Sequence, residues 1–134
     1  MDTTTILIAD DDVIWVRSMA SRLEAEGYRV LRARTGVDAL YQARMRRPNL
    51  ILLSADLLQL SGWEVCRRVK RSPEMRKVKV VLLTLRGEDA YRAGADGYLA
   101  KSGQVEPTLP PVRVFKHPPE GILERFLHRR AVAA

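Results

Sequence analysis

The stretch TILIADDD, residues 5–12, decides the fold class of this sequence. Its first five residues form a continuous apolar and β-branched run, which is typical of a strand buried on both faces. Three aspartates follow at once, and an amphipathic stretch over 13–26 comes next. Gly27 suits the end of that helix because glycine adopts the left-handed backbone found after helix termini. A buried strand followed directly by a helix indicates an α/β fold.

The same alternation continues along the chain. It predicts further strands over 29–33, 50–54, 78–84 and 96–101. Thr35 is the predicted cap of a second helix that carries Val37, Leu40 and Met45, and Ser61 caps a third. The segment 87–93 has room for only about two turns of a fourth helix. Strands that alternate with helices over short links predict a doubly wound, five-stranded parallel sheet with helices on both faces.

The last third of the chain breaks this alternation. Residues 102–119 are rich in proline, and VRVF at 112–115 is a candidate for an extra edge strand. Residues 120–131 have an apolar stripe and predict a last helix that packs on the sheet. We therefore expect residues 1–134 to form one domain, with its core over 5–101 and an atypical proline-rich insertion before the last helix.

Composition excludes several classes of protein. The chain has 134 residues, 46% of them hydrophobic and 29% charged, which is ordinary for one globular domain and excludes wholesale disorder. The longest mainly apolar runs, 49–53 and 78–85, are far shorter than the roughly 18 residues that span a bilayer. The acidic N-terminus does not resemble a signal peptide. Cys66 is the single cysteine, so we expect a reducing, cytoplasmic setting.

The formal net charge of +7 allows two interpretations. Residues 67–79 hold seven lysines and arginines against one acid, Glu74. Such a stretch is typical of a surface for nucleic acid or for an acidic partner, and it is equally typical of a solvated face. Interleaved aromatic residues, zinc-ligand spacing and a helix-turn-helix pair are all missing. We therefore favour the solvated face.

The predicted topology brings polar residues together at one edge. Parallel strands joined by right-handed crossovers end at the same edge of the sheet, and ligand sites in such sheets lie there. The residues at or just past these strand ends are Asp10, Asp11, Asp12, Ser54, Asp56, Thr84 and Lys101. We expect them to converge on a single site.

The sequence resembles the receiver domain of two-component response regulators. The motifs that carry the resemblance are ILIADDD at 6–12, TGVDAL at 35–40, PNLILLSADLLQLSGWEV at 48–65, VVLLT at 80–84 and GADGYLAK at 94–101. The resemblance implies a flavodoxin-like, CheY-like sheet in the strand order 2-1-3-4-5. It also implies a signalling protein rather than an enzyme, with an acidic pair that holds Mg²⁺ and an aspartate that a histidine kinase phosphorylates.

Position by position, the resemblance assigns most of that site. Asp10 and Asp11 match the acidic pair that holds Mg²⁺, while Asp12 is expected to cap the first helix. Thr84 matches the switch hydroxyl. Tyr98 matches the switch aromatic, although a packed strand aromatic is equally expected there. Lys101 matches the site lysine, and a second register of the motif would place that lysine at Lys116.

The phosphoacceptor position departs from the family. Counting back from the loop glycine, Gly62, places Ser54 where the family has aspartate. A serine hydroxyl forms no aspartyl phosphate and is a weak nucleophile without a general base. Asp56 lies two residues further on and is an alternative acceptor, displaced from the strand. We therefore expect no phosphorylation at this position. We also expect only weak Mg²⁺ binding, because serine replaces the carboxylate that would join the acidic pair of Asp10 and Asp11.

The resemblance therefore implies a stand-alone, atypical receiver that works through contacts with protein partners. A phosphorelay receiver that uses Asp56 or Ser54 is the first alternative, and a basic nucleic-acid-binding protein on the same scaffold is the second. Dimer formation stays open. Trp15, at the start of the first helix, is expected to be an exposed contact residue or a partly packed aromatic.

Overall fold

The computed structural model describes residues 4–84 and 86–99, together with the backbone of 112–114. Its elements are β1 (Thr5–Ala9), α1 (Val13–Ala25), β2 (Arg29–Ala33), α2 (Gly36–Arg46), β3 (Leu50–Ser54), α3 (Gly62–Arg71), β4 (Lys79–Leu83), α4 (Gly87–Arg92), β5 (Gly97–Leu99) and β6 (Val112–Val114). They form one sheet in the order β2-β1-β3-β4-β5-β6. Strands β1 to β5 are parallel, and β6 pairs with β5 in the antiparallel direction.

This sheet confirms the predicted five parallel strands in the order 2-1-3-4-5, and β6 lies at the predicted extra edge strand. Strand β5 begins at Gly97, one residue later than predicted, and its described part reaches Leu99. The rest of the proline-rich segment 102–119, the predicted last helix over 120–131, Lys101 and Lys116 lie outside the described residues.

The central strands are those whose side chains are apolar on both faces. Ile6, Leu7 and Ile8 of β1 are fully buried, and Val80, Val81 and Leu82 of β4 are fully buried as well. Strand β2 lies at the edge, and both of its arginines, Arg29 and Arg32, are exposed. Burial on both faces therefore decides which strands occupy the centre of the sheet.

Local capping explains where the helices begin and end. The side chains of Asp12, Thr35 and Ser61 accept hydrogen bonds from backbone N–H groups in the first turns of α1, α2 and α3, as predicted. After α1, Gly27 has a positive φ of 97°, and the backbone N–H of Tyr28 donates to the carbonyl of Leu23. This arrangement is a Schellman motif, and it turns the chain sharply into β2.

Helix α1 covers one face of the sheet, and α2, α3 and α4 cover the other. Trp15 is buried among the residues of the α1 face, so both expectations for this side chain are wrong. The reason is its spacing with Met19 and Leu23, which places all three residues on one stripe of α1 facing the sheet.

Helix α2 contacts the sheet through small residues. Its buried positions are Gly36, Ala39 and Ala43, and Leu40 is only half-buried. Val37 and Met45 lie on the outer side, in contact with solvent. The apolar residues that mark this helix in the sequence are thus divided between two faces.

The fourth helix is short, as predicted. Helix α4 has six residues, and no side chain caps its first turn. Ala90 and Ala93 anchor this region against the face that also carries α3. None of the described helices has the length and apolar character needed to cross a membrane.

A buried ion pair joins α3 to β4 and β5. The ammonium of Lys70 lies 2.7 Å from a carboxylate oxygen of Asp96, and the two side chains are 15% and 5% exposed. The same oxygen accepts the backbone N–H of Val80 at 2.9 Å. The Lys70 ammonium also donates to the carbonyls of Arg76 and Val78. These contacts fix the C-terminal end of α3 on the sheet.

Candidate functional site

The strand register brings several of the predicted site residues to one edge. Ala9 lies opposite Leu53, so Asp10 and Ser54 reach the edge at the same level. Ser54 in turn lies opposite Leu83, the residue before Thr84. The register therefore brings Asp10, Ser54 and Thr84 to one edge of the sheet, as parallel pairing predicts.

The three consecutive aspartates play different structural parts. Asp10 is buried, and its carboxylate accepts the backbone N–H of Asp12 at 2.9 Å. The Asp12 carboxylate accepts the backbone N–H of Trp15 at 3.1 Å and so caps α1, as predicted. Asp11 is exposed to solvent. A buried carboxylate and an exposed one therefore form the acidic pair, with the third acid held as a cap.

Ser54 ends β3 and is half-buried. The loop that leads to α3 folds back tightly on it. A Cβ added at Gly62 would lie 1.9 Å from the carbonyl oxygen of Ser54, and the Gly62 N–H donates to the Ala55 carbonyl at 2.9 Å. Only glycine fits this close approach to the end of β3.

Asp56 lies beyond the end of β3, with an exposed side chain. The preceding residue, Ala55, is still attached to the sheet because its N–H donates to the Leu83 carbonyl. The carboxylate of Asp56 thus belongs to the loop, while the Ser54 side chain belongs to the strand.

Thr84 continues from β4 into the loop before α4. Its backbone N–H donates to the Leu99 carbonyl, and its hydroxyl oxygen accepts the N–H of Arg86 at 3.0 Å. The Arg86 guanidinium lies 5.8 Å from the centre of the Trp63 ring and pairs with Asp89. This cation–π contact joins the first turn of α3 to the loop between β4 and α4. Sequence reasoning missed it because nothing local links positions 63 and 86.

Tyr98 is half-buried in β5 and packs against the core cluster beneath α2, α3 and α4. This packing agrees with the simpler of its two expected roles. Its role as a switch stays a prediction, and so does the choice between Lys101 and Lys116 as the site lysine.

The acidic pair is the metal-binding chemistry that the described residues offer. Among them no three His, Cys, Asp or Glu side chains lie close enough together to hold a metal ion. Asp10 and Asp11 nevertheless follow β1 directly, and Mg²⁺ usually takes only one or two protein carboxylates. The pair thus fits Mg²⁺ in ligand type and number, without a carboxylate at position 54 that would strengthen the site.

A small open cavity of about 170 Å³ lies beside Asp10. Its lining residues are Asp10, Val13, Val16, Arg32, Ala33 and Arg34. The two arginines belong to the end of β2 and the residue after it, so the acidic edge of the sheet has a basic neighbour on this side. The sequence pattern did not point to this cavity, because it depends on the packing of α1 against β2.

Comparison with known proteins agrees with this geometry. A family model described as response regulator receiver domain matches residues 6–109. The chain belongs to this family. It is therefore a receiver domain of the two-component response regulator type, and it functions in signal transduction.

Two curated relatives are similar to this receiver domain. The polar-differentiation response regulator DivK of Brucella ovis is 31% identical over 104 residues, which cover 74% of this chain and 85% of DivK. The transcriptional regulatory protein AfsQ1 of Streptomyces coelicolor is 38% identical over 104 residues. That match covers 74% of this chain and 44% of AfsQ1, so this chain spans less than half the length of AfsQ1.

One solved structure that is similar to this chain is relevant to Mg²⁺ binding. The receiver domain of sensor histidine kinase PA1611 from Pseudomonas aeruginosa PAO1 is similar at a TM-score of 0.71 and 26% identity, over 96% of this chain and 97% of that chain. That structure holds a magnesium ion coordinated in its active site cleft. The receiver fold therefore binds Mg²⁺ in a protein of closely similar architecture.

Proposed function

We propose that this receiver domain transmits signals through contacts with partner proteins and without aspartyl phosphorylation. The observation that carries the proposal is Ser54 at the end of β3, level with Asp10 at the carboxyl edge of the sheet. A carboxylate nucleophile at this point would form an acyl phosphate, whereas a serine hydroxyl would not.

The surroundings of Ser54 support this proposal. A serine hydroxyl is a weak nucleophile unless a neighbouring base removes its proton, and histidine is the commonest such base. The described residues contain no histidine, since His117 and His128 lie outside them. The close approach of Gly62 to the Ser54 carbonyl also fixes the backbone at the end of β3, so the Ser54 hydroxyl stays with the strand.

Asp56 is the competing acceptor. Its exposed position beyond the strand supports a surface role, because in-line phosphoryl transfer depends on a nucleophile held in fixed geometry. Thr84, Tyr98 and Lys101 are, on this proposal, retained members of a phosphate site that has lost its acceptor.

Restoring the carboxylate tests the proposal directly. We expect no mass increase when the wild-type protein is incubated with acetyl phosphate and Mg²⁺, and an increase of one phosphoryl group for Ser54→Asp. Intact-mass spectrometry measures both, and Ser54→Asn is the matched control because it fills the same space without a nucleophile. A phosphoryl adduct on the wild type, mapped to Asp56 or Ser54, would establish a phosphorelay receiver instead.

We also propose that Asp10 and Asp11 bind Mg²⁺ weakly. Ser54→Asp should bind Mg²⁺ at least about tenfold more tightly, because a third carboxylate adds Coulomb attraction at the same edge. Calorimetric titration measures the two affinities. Asp11→Asn is the control, since it removes an exposed ligand without disturbing the core. Equal affinities of the wild type and Ser54→Asp would contradict the assignment of the metal to this edge.

A further inference from the structure

Helix α2 carries an apolar stripe on its solvent side. Val37, Tyr41 and Met45 are 52%, 62% and 63% exposed, and the spacing of four residues places them along one line of the helix. The buried contacts of α2 come from Ala39 and Ala43 on its other side. Because the sheet is covered without them, the three exposed side chains contribute little to the core.

The stripe leads into a strongly basic end. Arg47, the residue after α2, lies 3.4 Å from the carboxylate of Glu74 in the segment between α3 and β4. This contact shows that two basic segments, distant in the sequence, are neighbours in the fold. The exposed cations of these two segments are Arg44, Arg46 and Arg47 on the first and Arg76 and Lys77 on the second.

Most of these cations have no acidic partner in the described part of the chain. Arg67 and Arg68 of α3 share Glu64, whose pKa is lowered chiefly by its hydrogen bond from Arg68, and Lys70 pairs with Asp96. Arg44, Arg46 and Lys77 form no ion pair with any described residue. The basic charge near the stripe is therefore available to a partner.

We propose that this surface, the stripe of Val37, Tyr41 and Met45 with the basic end beside it, docks an acidic amphipathic helix of a partner protein. The stripe extends about 12 Å along α2, which matches two turns of a partner helix with apolar residues at i, i+4 and i+7. Glutamates flanking those residues would then face the arginines. Tyrosine and methionine suit such contacts, since both present large apolar surface.

The charge of the surface distinguishes an acidic helix from two other candidate occupants, a second copy of the chain and nucleic acid. A second copy of the chain would place a molecule of net charge +7 and the same arginines against this surface, so like charges would oppose the contact. Nucleic acid would use the arginines but would leave the three apolar side chains in water. Only an acidic helix with an apolar face satisfies both parts of the surface.

This proposal deepens the proposed function, because it assumes that the domain acts through protein contacts. Its test uses a synthetic helical peptide of about 18 residues, with leucines along one face and glutamates elsewhere. The control peptide has the same composition in scrambled order. Amide chemical shifts of the full chain are followed during titration without any phosphoryl donor, so the acceptor chemistry does not enter the result.

We expect the amphipathic peptide to bind at least about tenfold more tightly than the scrambled one, with shifts on α2 and around 74–77. The double variant Tyr41→Ser, Met45→Gln should lose about tenfold in affinity, because the partner loses its apolar contacts. The matched control is Tyr91→Ser, since Tyr91 is 59% exposed on α4. That variant should bind like the wild type.

Three results would overturn the proposal. Equal binding of both peptides would mean that only charge is recognised, and a preference for duplex DNA at physiological salt would assign the surface to nucleic acid. Self-association that Tyr41→Ser abolishes would assign it to a second copy. A phosphoryl adduct on the wild type would refute the proposed function while leaving the peptide result unchanged, so the two failures are distinguishable.

Discussion

Asp96→Ala should lower the free energy of unfolding by about 3–5 kcal/mol, because it removes one partner of a buried ion pair. The Lys70 ammonium would keep only the carbonyls of Arg76 and Val78, and the N–H of Val80 would lose its acceptor inside the protein. Total stabilities of domains this size are about 5–15 kcal/mol, so the loss is a large fraction. Urea unfolding followed by circular dichroism measures it.

Two further variants separate the causes of this loss. Asp96→Asn keeps an oxygen that can accept the Val80 N–H, so it should be destabilised less than Asp96→Ala. Glu24→Ala removes an exposed ion pair with Arg32 and should cost less than about 1 kcal/mol. If Asp96→Ala behaved like Glu24→Ala, the Lys70–Asp96 pair would be no more important than a surface contact.

Gly62→Ala is expected to destabilise the domain by about 3 kcal/mol, since the new Cβ would lie 1.9 Å from the Ser54 carbonyl oxygen. That oxygen belongs to the backbone, so the loop or the end of β3 must move. Helix propensity alone would make alanine at the start of α3 stabilising by about 1 kcal/mol. A loss of stability in this variant would therefore indicate the clash with the Ser54 carbonyl. Thermal unfolding measures the change, and a shifted Trp63 emission would place the movement at the site.

The control for this variant lies in the same loop. Leu58 is 69% exposed, and Leu58→Ala should leave the unfolding temperature nearly unchanged. A stabilised Gly62→Ala protein would show that the loop has room for a side chain, and the close approach to Ser54 would then not hold the site together.

Much of the fold was predictable because its determinants are local. The apolar runs of β1, β3 and β4 predict buried strands, and the caps Asp12, Thr35 and Ser61 mark helix starts within a residue. These signals depend on neighbours a few positions away in the chain. Parallel pairing then brings Asp10, Ser54 and Thr84 to one edge without further information.

Other features were not predictable, because they depend on residues far apart in the sequence. Lys70 gave no signal of its pairing with Asp96, since it lies in a basic stretch that resembles a solvated surface. Trp15 was predicted to be at least partly exposed, yet its stripe on α1 faces the sheet. The contact of Arg86 with Trp63 likewise joins the loop before α4 to the first turn of α3, and these segments meet only after the strands pair.

The sequence by itself determined the family, the sheet and the position of Ser54 at the end of β3, because periodicity and motif spacing are local properties of the chain. Only the tertiary structure decided that Val37, Tyr41 and Met45 face solvent beside a basic end built from two segments. The physical reason is that burial depends on what packs against a side chain. For α2 the small residues Ala39 and Ala43 already cover the sheet, so the larger ones remain outside.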